Sequence, residues 1–324
     1  TIDVSLSKNG TGVYTENNTV SGGGSISVGE NGVGIYSKNS DLNLTNMTLN
    51  LNGNNSLGIF LDSGSNLNTN GTNTFNVSGQ KNILYYVNTD GVFNQNFLIN
   101  AASNADYSVL YSTNSMLNYA GTALTNGNGA LLYGKNSSIT LGNSGVLTST
   151  ADSSIGIYAD GLYNSGSSNY EGINSGVITL GNNSAGLYAI NGARLSNENK
   201  ISAGDYSIGI YNENGTDIKN SGNIKIDNNS IGITAKNVSN LENTGEILSF
   251  GENSIGIHSN TNSSSNIVNN GNIELNNNKS IGVYLEGSGI QTFTNDTAGT
   301  VKVGDSVDLT APSVAVYNNG NIVN

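Results

Sequence analysis

The chain has 324 residues and a net charge of −12, with 60 Asn, 43 Gly, one Pro and neither Cys nor Trp. With a single Arg among 11 basic residues it lacks the clustered cations that a phosphate backbone requires, so no nucleic-acid partner is expected. Asn and Gly are poor helix residues and good turn residues, and no apolar run approaches the roughly 18 residues of a membrane span, which predicts short strands and tight turns.

A phrase of the form hydrophobic-Gly-hydrophobic-Tyr recurs along the whole chain. Its last position falls at Tyr14, Tyr36, Phe60, Tyr86, Tyr111, Tyr133, Tyr158, Tyr188, Tyr211, Thr234, His258, Tyr284 and Tyr317, in steps of 22 to 33 residues. A second phrase follows each copy: "NSGVLTS" at 143, "NSGVITL" at 174, "NSGNIKI" at 220, "NTGEILSF" at 243 and "NNGNIEL" at 269. Its apolar residues sit two apart, as in Ile224 and Ile226, which is strand alternation with one buried face. A third apolar position lies between the two phrases at Leu195, Ile218, Leu241 and Ile267.

Three short strands per repeat of 22–26 residues predict an all-β fold, a right-handed single-stranded parallel β-helix of about 13 rungs. Its handedness follows the general preference of parallel crossovers. At the usual strand spacing of about 4.8 Å the rod is roughly 60 Å long. Residues 1–324 form one β-helix segment, expected to be cut from a longer chain.

In "NSIGIH" the two isoleucines should point inward, which turns Ser254, Gly256 and His258 outward. The Tyr slot then becomes a stacked aromatic file near the surface, and the chain's one histidine a member of that file with no acidic companion in neighbouring copies. Pairs Ile155/Ile157, Ala185/Leu187, Ile208/Ile210, Ile231/Ile233 and Ile255/Ile257 should make up a core column.

Three irregularities interrupt the repeat. Between 82 and 133 the Gly slot holds Leu84, Val109 and Leu131, amid the extra aromatics Tyr85, Phe93, Phe97, Tyr107 and Tyr119. These make either an outward apolar stripe or a locally enlarged core. Longer inter-strand loops are expected at 159–173 and at 285–312, the latter with the only Pro. The first loop and its surroundings offer rings and acids for a ligand, and the candidate binding residues are Tyr158, Asp160, Tyr163, Tyr170, Glu171 and Tyr188.

Catalytic and metal signatures are absent: there is no P-loop, HExxH, GxSxG or Asp-bearing Gly-rich nonapeptide, and no catalytic residue, metal site or cofactor is expected. Glu274 and Lys302 occupy one slot in adjacent copies and should pair in solvent. Arg194 stands alone after a Gly-Ala turn.

The stretches "SSIGIYAD" at 153, "NSAGLYAI" at 183, "YSIGIYNE" at 206, "NSIGITAKN" at 229 and "NSIGIHSN" at 253 resemble the passenger regions of bacterial type V autotransporter adhesins, particularly the large Asn-rich surface adhesins of fusobacteria. The resemblance implies display outside the outer membrane, or release from it, without disulfide or cofactor. It also implies attachment or co-aggregation, through a host glycan, a receptor protein or other bacteria, or service as a rigid stalk for such a site. The alternative is a polysaccharide-active lyase or hydrolase on the same scaffold.

Overall fold

Corners come first in this fold. Asn takes the left-handed conformation at Asn183, Asn229 and Asn253 (φ 53°, 54° and 58°), each just ahead of a first-phrase strand, because a short amide tolerates that region better than other side chains. Between corners, the alternating apolar residues make strands. The protein is described by a computed structural model covering residues 2–93, 97–164, 170–306 and 310–323, which contains strands and no helix.

One turn runs through Ile208–Glu213, Asp217–Asn220 and Asn223–Ile226, and the next opens with Ile231–Lys236. Equivalent strands stack in parallel, placing Ile208 opposite Ile231 and Ile210 opposite Ile233. Thirteen first-face strands pair in an unbroken series from Thr11–Glu16 to Val314–Val323. The result is a parallel β-solenoid of about 12 turns, consistent with the right-handed parallel β-helix read from the repeat.

The expected core column is half right. Ile157, Leu187, Ile210, Ile233 and Ile257 are fully buried, whereas Ile155, Ile208, Ile231 and Ile255 are half-buried. Strict alternation fails at the intervening glycine, which faces inward along with the residue that follows it. A Cβ on Gly232 would lie 2.5 Å from both the Gly256 carbonyl oxygen and Ile247 Cγ2, so only glycine lets the third face close against the first. Ser254 and Gly256, expected outside, are therefore inside, and the Ser254 hydroxyl donates to the Asp227 carbonyl at 3.0 Å.

Where the glycine is replaced, Leu84, Val109 and Leu131 are buried too, so this slot enlarges the core and does not form an outward stripe, while the Phe93 side chain lies outside the described residues. Volume is compensated across the interior: the turn of Val109 carries Ala123 where the next turn carries Leu147 in register. Phe75 packs edge-on to Tyr85 at 5.1 Å and stacks on Phe97 at 4.7 Å.

A file of buried amides runs along the second face. Asn174 Nδ2 donates to Asn197 Oδ1, Asn197 to Asn220, Asn220 to Asn243, Asn243 to Asn269 and Asn269 to Asn295, each at 2.7 Å. Each interior amide is thus both donor and acceptor, which removes the penalty of burying it.

The segment expected as a loop over 285–312 is only partly one. Strand Ile281–Asn295 continues across it with a register shift between Gly287 and Ile290, because that irregularity lets one strand serve two faces. Of the 159–173 segment, residues 159–160 complete strand Ser154–Asp160, residues 172–173 open strand Gly172–Asn174, and 165–169 lie outside the described residues.

Candidate functional site

Outward from the buried isoleucines, the last slot of each first-face strand holds the aromatic file. Successive rings lie 4.5–5.3 Å apart from Tyr14 through Tyr36, Phe60, Tyr86, Tyr111, Tyr133, Tyr158 and Tyr188 to Tyr211. Thr234 interrupts it. His258 then stacks on Tyr284 at 5.1 Å with 19° between planes, and so joins the file as the sequence suggested. It has an acidic companion that the repeat did not reveal, since Nε2 lies 3.1 Å from Glu286 Oε1.

Acids two residues beyond the rings tie the phenols down. Tyr14 donates to Glu16 at 2.6 Å, Tyr211 to Glu213 at 2.8 Å and Tyr284 to Glu286 at 2.9 Å, while Tyr36 and Tyr133 reach Asp62 and Asp160 on the next turn. Hydrogen bonding from Tyr284 holds the Glu286 carboxyl below its ordinary range, helped by His258. Burial, and then the hydrogen bond to Glu213, pushes the Tyr211 phenol up. Lysines complete a mixed-charge strip, Lys38 to Glu16 at 2.9 Å and Lys236 to Glu213 at 2.7 Å. Lys302 and Glu274 pair at 2.6 Å as expected.

Beside this file the surface opens into a groove of about 400 Å³ lined by Ile155, Ala185, Ile208, Tyr188, Tyr206 and Tyr211, with Ser153, Ser154, Asn183 and Ser184. Ala185 makes the hollow. It stands in register between Ile155 and Ile208 and supplies only a methyl group where they supply a branched chain. Tyr206 makes the wall. It occupies the corner slot that Asn183, Asn229 and Asn253 fill in neighbouring turns, with φ at 57° and 63% of its surface exposed. A left-handed conformation costs an ordinary side chain roughly 1–2 kcal/mol, and the exposed ring recovers little by burial. Ser153 and Lys279 share this conformation in other turns, so what sets Tyr206 apart in the slot is its exposed ring.

Of the six residues expected to bind, only Tyr188 lines this groove. Tyr158 is its neighbour in the file, 5.0 Å away and edge-on. Asp160 is occupied by the Tyr133 hydroxyl and by Asn191 Nδ2 at 2.7 Å. Glu171 is buried, with both carboxylate oxygens engaged. Arg194 Nη2 lies 2.8 Å from Oε1 and Nε 3.1 Å from Oε2, and the Arg194 backbone N–H donates to Oε2 at 2.8 Å. Glu171 therefore fastens the loop and does not face a ligand. Tyr170 is half-buried, its carbonyl accepting from the Ser138 hydroxyl at 2.8 Å. Tyr163 points away along the rod, its hydroxyl 3.5 Å from Asp90 Oδ1. The groove residue that sequence reasoning missed is Tyr206, and aligning the corner slots would have found it as a ring in a slot that Asn183, Asn229, Asn253, Ser153 and Lys279 fill elsewhere.

A family model described as the BigA third pectate lyase-like domain matches residues 16–255, nearly three quarters of the chain. No curated protein and no solved structure matches it.

Proposed function

The chain belongs to the family of the BigA third pectate lyase-like domain, and from this we propose that it is the binding and display segment of a bacterial surface protein, an adhesin passenger that engages a glycan or glycosylated receptor through the Tyr206 groove. The strained, exposed Tyr206 facing Tyr188 and Tyr211 across Ala185 carries this reading. Rings offer apolar faces to the C–H face of a sugar, while Ser153 and Asn183 on the rim offer hydroxyl and amide groups for its oxygens. The repeat's resemblance to autotransporter adhesins supports the same placement at the cell surface.

Binding of the intact protein to a glycan array and to cells tests the proposal, with Tyr206→Ala beside wild type. The variant should lose most of the signal while keeping the wild-type far-UV spectrum. Equal binding by the variant refutes the groove. Release of new reducing ends or unsaturated sugars from a polysaccharide by the wild-type protein would favour the lyase or hydrolase reading instead.

A further inference from the structure

A second opening lies elsewhere on the rod, where the second face is broken. Strand Asn66–Asn70 pairs below with Asp41–Leu51, and strand Gly91–Phe93 pairs above with Met116–Tyr119, but the two do not pair with each other. The corner explains the break. The turn below bends at Gly64 and the turn above at Asn114, each in the left-handed conformation and followed by a buried serine, whereas this turn reads Thr89-Asp90-Gly91. The Met116 backbone N–H is met at 2.7 Å by the Asp90 carboxylate.

Between the two edges lies a cavity of about 330 Å³ with Leu61, Val87 and Leu117 as an apolar floor and Asp41, Asn43, Ser65, Asn66, Asn68, Thr89 and Asp90 as polar walls. A Cβ placed on Gly91 would touch nothing within 4 Å. The direction of the local hydrogen bonds fixes what these walls offer. Asn66 Nδ2 donates down to Asp41 at 2.9 Å and Asn68 Nδ2 down to Asn43 at 3.0 Å, and both amide oxygens, exposed to solvent, meet no donor among the described residues. Ser65 is 2% exposed and accepts from the Ser37 hydroxyl and the Ser40 N–H, while its own proton meets no acceptor among the described residues. Equivalent serines at 40 and 115 spend that proton on the carbonyl two residues back. Neither Asp41 nor Asp90 meets a cation among the described residues.

We infer that this opening binds one sugar unit of a glycan chain, the ligand's hydroxyls donating to Asn66, Asn68 and the two carboxylates, and accepting from Ser65. Acceptors in such excess call for a ligand rich in donors, and two carboxylates on a chain of net charge −12 turn anions away. An added β-strand is excluded by the flanks. On either side the same two turns are paired in register, Leu57–Asp62 with Asn82–Val87 and Asn73–Val77 with Phe97–Ala101, so their separation is pinned near 4.8 Å, and the sugar rests across the two edges from the solvent side and does not enter between them. The volume sits at the small end of ligand sites, which start near 300 Å³. This site is independent of the Tyr206 groove.

Calorimetric titration of the intact protein with lactose, maltose and cellobiose tests it, beside Asn68→Leu, which removes one of these acceptors, and Thr89→Phe, which plugs the opening without touching the amide pairs. At least one disaccharide should bind, and each variant should weaken it about ten-fold or more with an unchanged melting temperature. Absence of binding by all three sugars, or binding untouched by both variants, overturns the inference. So does binding of a hydroxyl-free amine such as butylamine in place of the sugars. Loss of disaccharide binding in Tyr206→Ala with retention in both cavity variants would leave the groove standing and sink the cavity.

Discussion

Arg194 grips Glu171 from the neighbouring turn through two side-chain contacts of 2.8 and 3.1 Å, with the carboxylate sealed from solvent. The chain's only guanidinium is thus spent on Glu171, on which the Tyr163 N–H also leans at 3.3 Å. Arg194→Leu leaves a buried carboxylate uncompensated and should cost roughly 3–5 kcal/mol in a denaturant titration. A double change to Glu171→Leu and Arg194→Leu should recover much of that loss, and a double variant as unstable as the single one would show that the pair is not the cause.

Tyr206→Asn restores the residue type that the left-handed corner prefers. The expected outcome is a gain of about 1 kcal/mol in unfolding free energy together with loss of groove binding. A variant that is both less stable and fully able to bind would contradict the assignment of strain and of function at once.

Gly232→Ala drives a methyl group into the Gly256 carbonyl and the Ile247 side chain. Overpacking of this kind costs about 1–3 kcal/mol, visible as a lowered melting temperature. The same change at Gly10, where a Cβ would come closest to the movable end of Leu6, at 3.1 Å, should be much milder and serves as its control.

Asn220→Ala removes the acceptor of Asn197 and the donor to Asn243 in one step. Each orphaned buried amide group costs about 1–3 kcal/mol, so the variant should be markedly less stable than an exposed control such as Asn270→Ala. Loss of hydrogen-exchange protection confined to the turns on either side would locate the damage.

Acid should loosen the outer strip before it reaches the core. Glu16, Glu213 and Glu286 have carboxyl pKa values held down, first by hydrogen bonds from Tyr14, Lys236 and Tyr284 respectively. A depressed folded pKa adds stability that is present above the ordinary value of 4.5 and is lost as pH falls through the folded value. Glu286→Gln should therefore lower stability at neutral pH and leave it little changed in acid, which flattens the fall in a stability profile below pH 4.5. The phenols run the other way: burial raises Tyr133 and Tyr211, so stability should decline as pH rises past the free-phenol value of 10.0, tracked by tyrosinate absorbance.

Much of this architecture was legible in the repeat because stacking puts one slot of every turn in one place. The phrase ending at Tyr188, Tyr211 and His258 marked the aromatic file, and the triad of apolar positions marked three faces. What the repeat hid was direction. Alternation by twos holds only along a straight strand, and the inward bend at Gly209, Gly232 and Gly256 reverses the facing of the residues before it, which is why Ser254 is buried and Ile255 is half out. Glu171 read as a surface acid because its partner, Arg194, is a turn away in sequence. The break after Asn70 was visible only as a missing corner serine at Thr89, a signal that emerges once the corner slots are aligned separately from the strands.

Among the described residues the strand ladders join only immediately neighbouring turns. Excision of residues 211–233, one whole winding, brings Ile210 and Thr234 together where Ile210 and Tyr211 were joined, and the severed ladders rejoin without any distant contact to repair. Length in such a molecule is an evolutionary dial: duplication or deletion of a 23-residue cassette moves one end relative to the other by one strand spacing while each winding keeps its own shape.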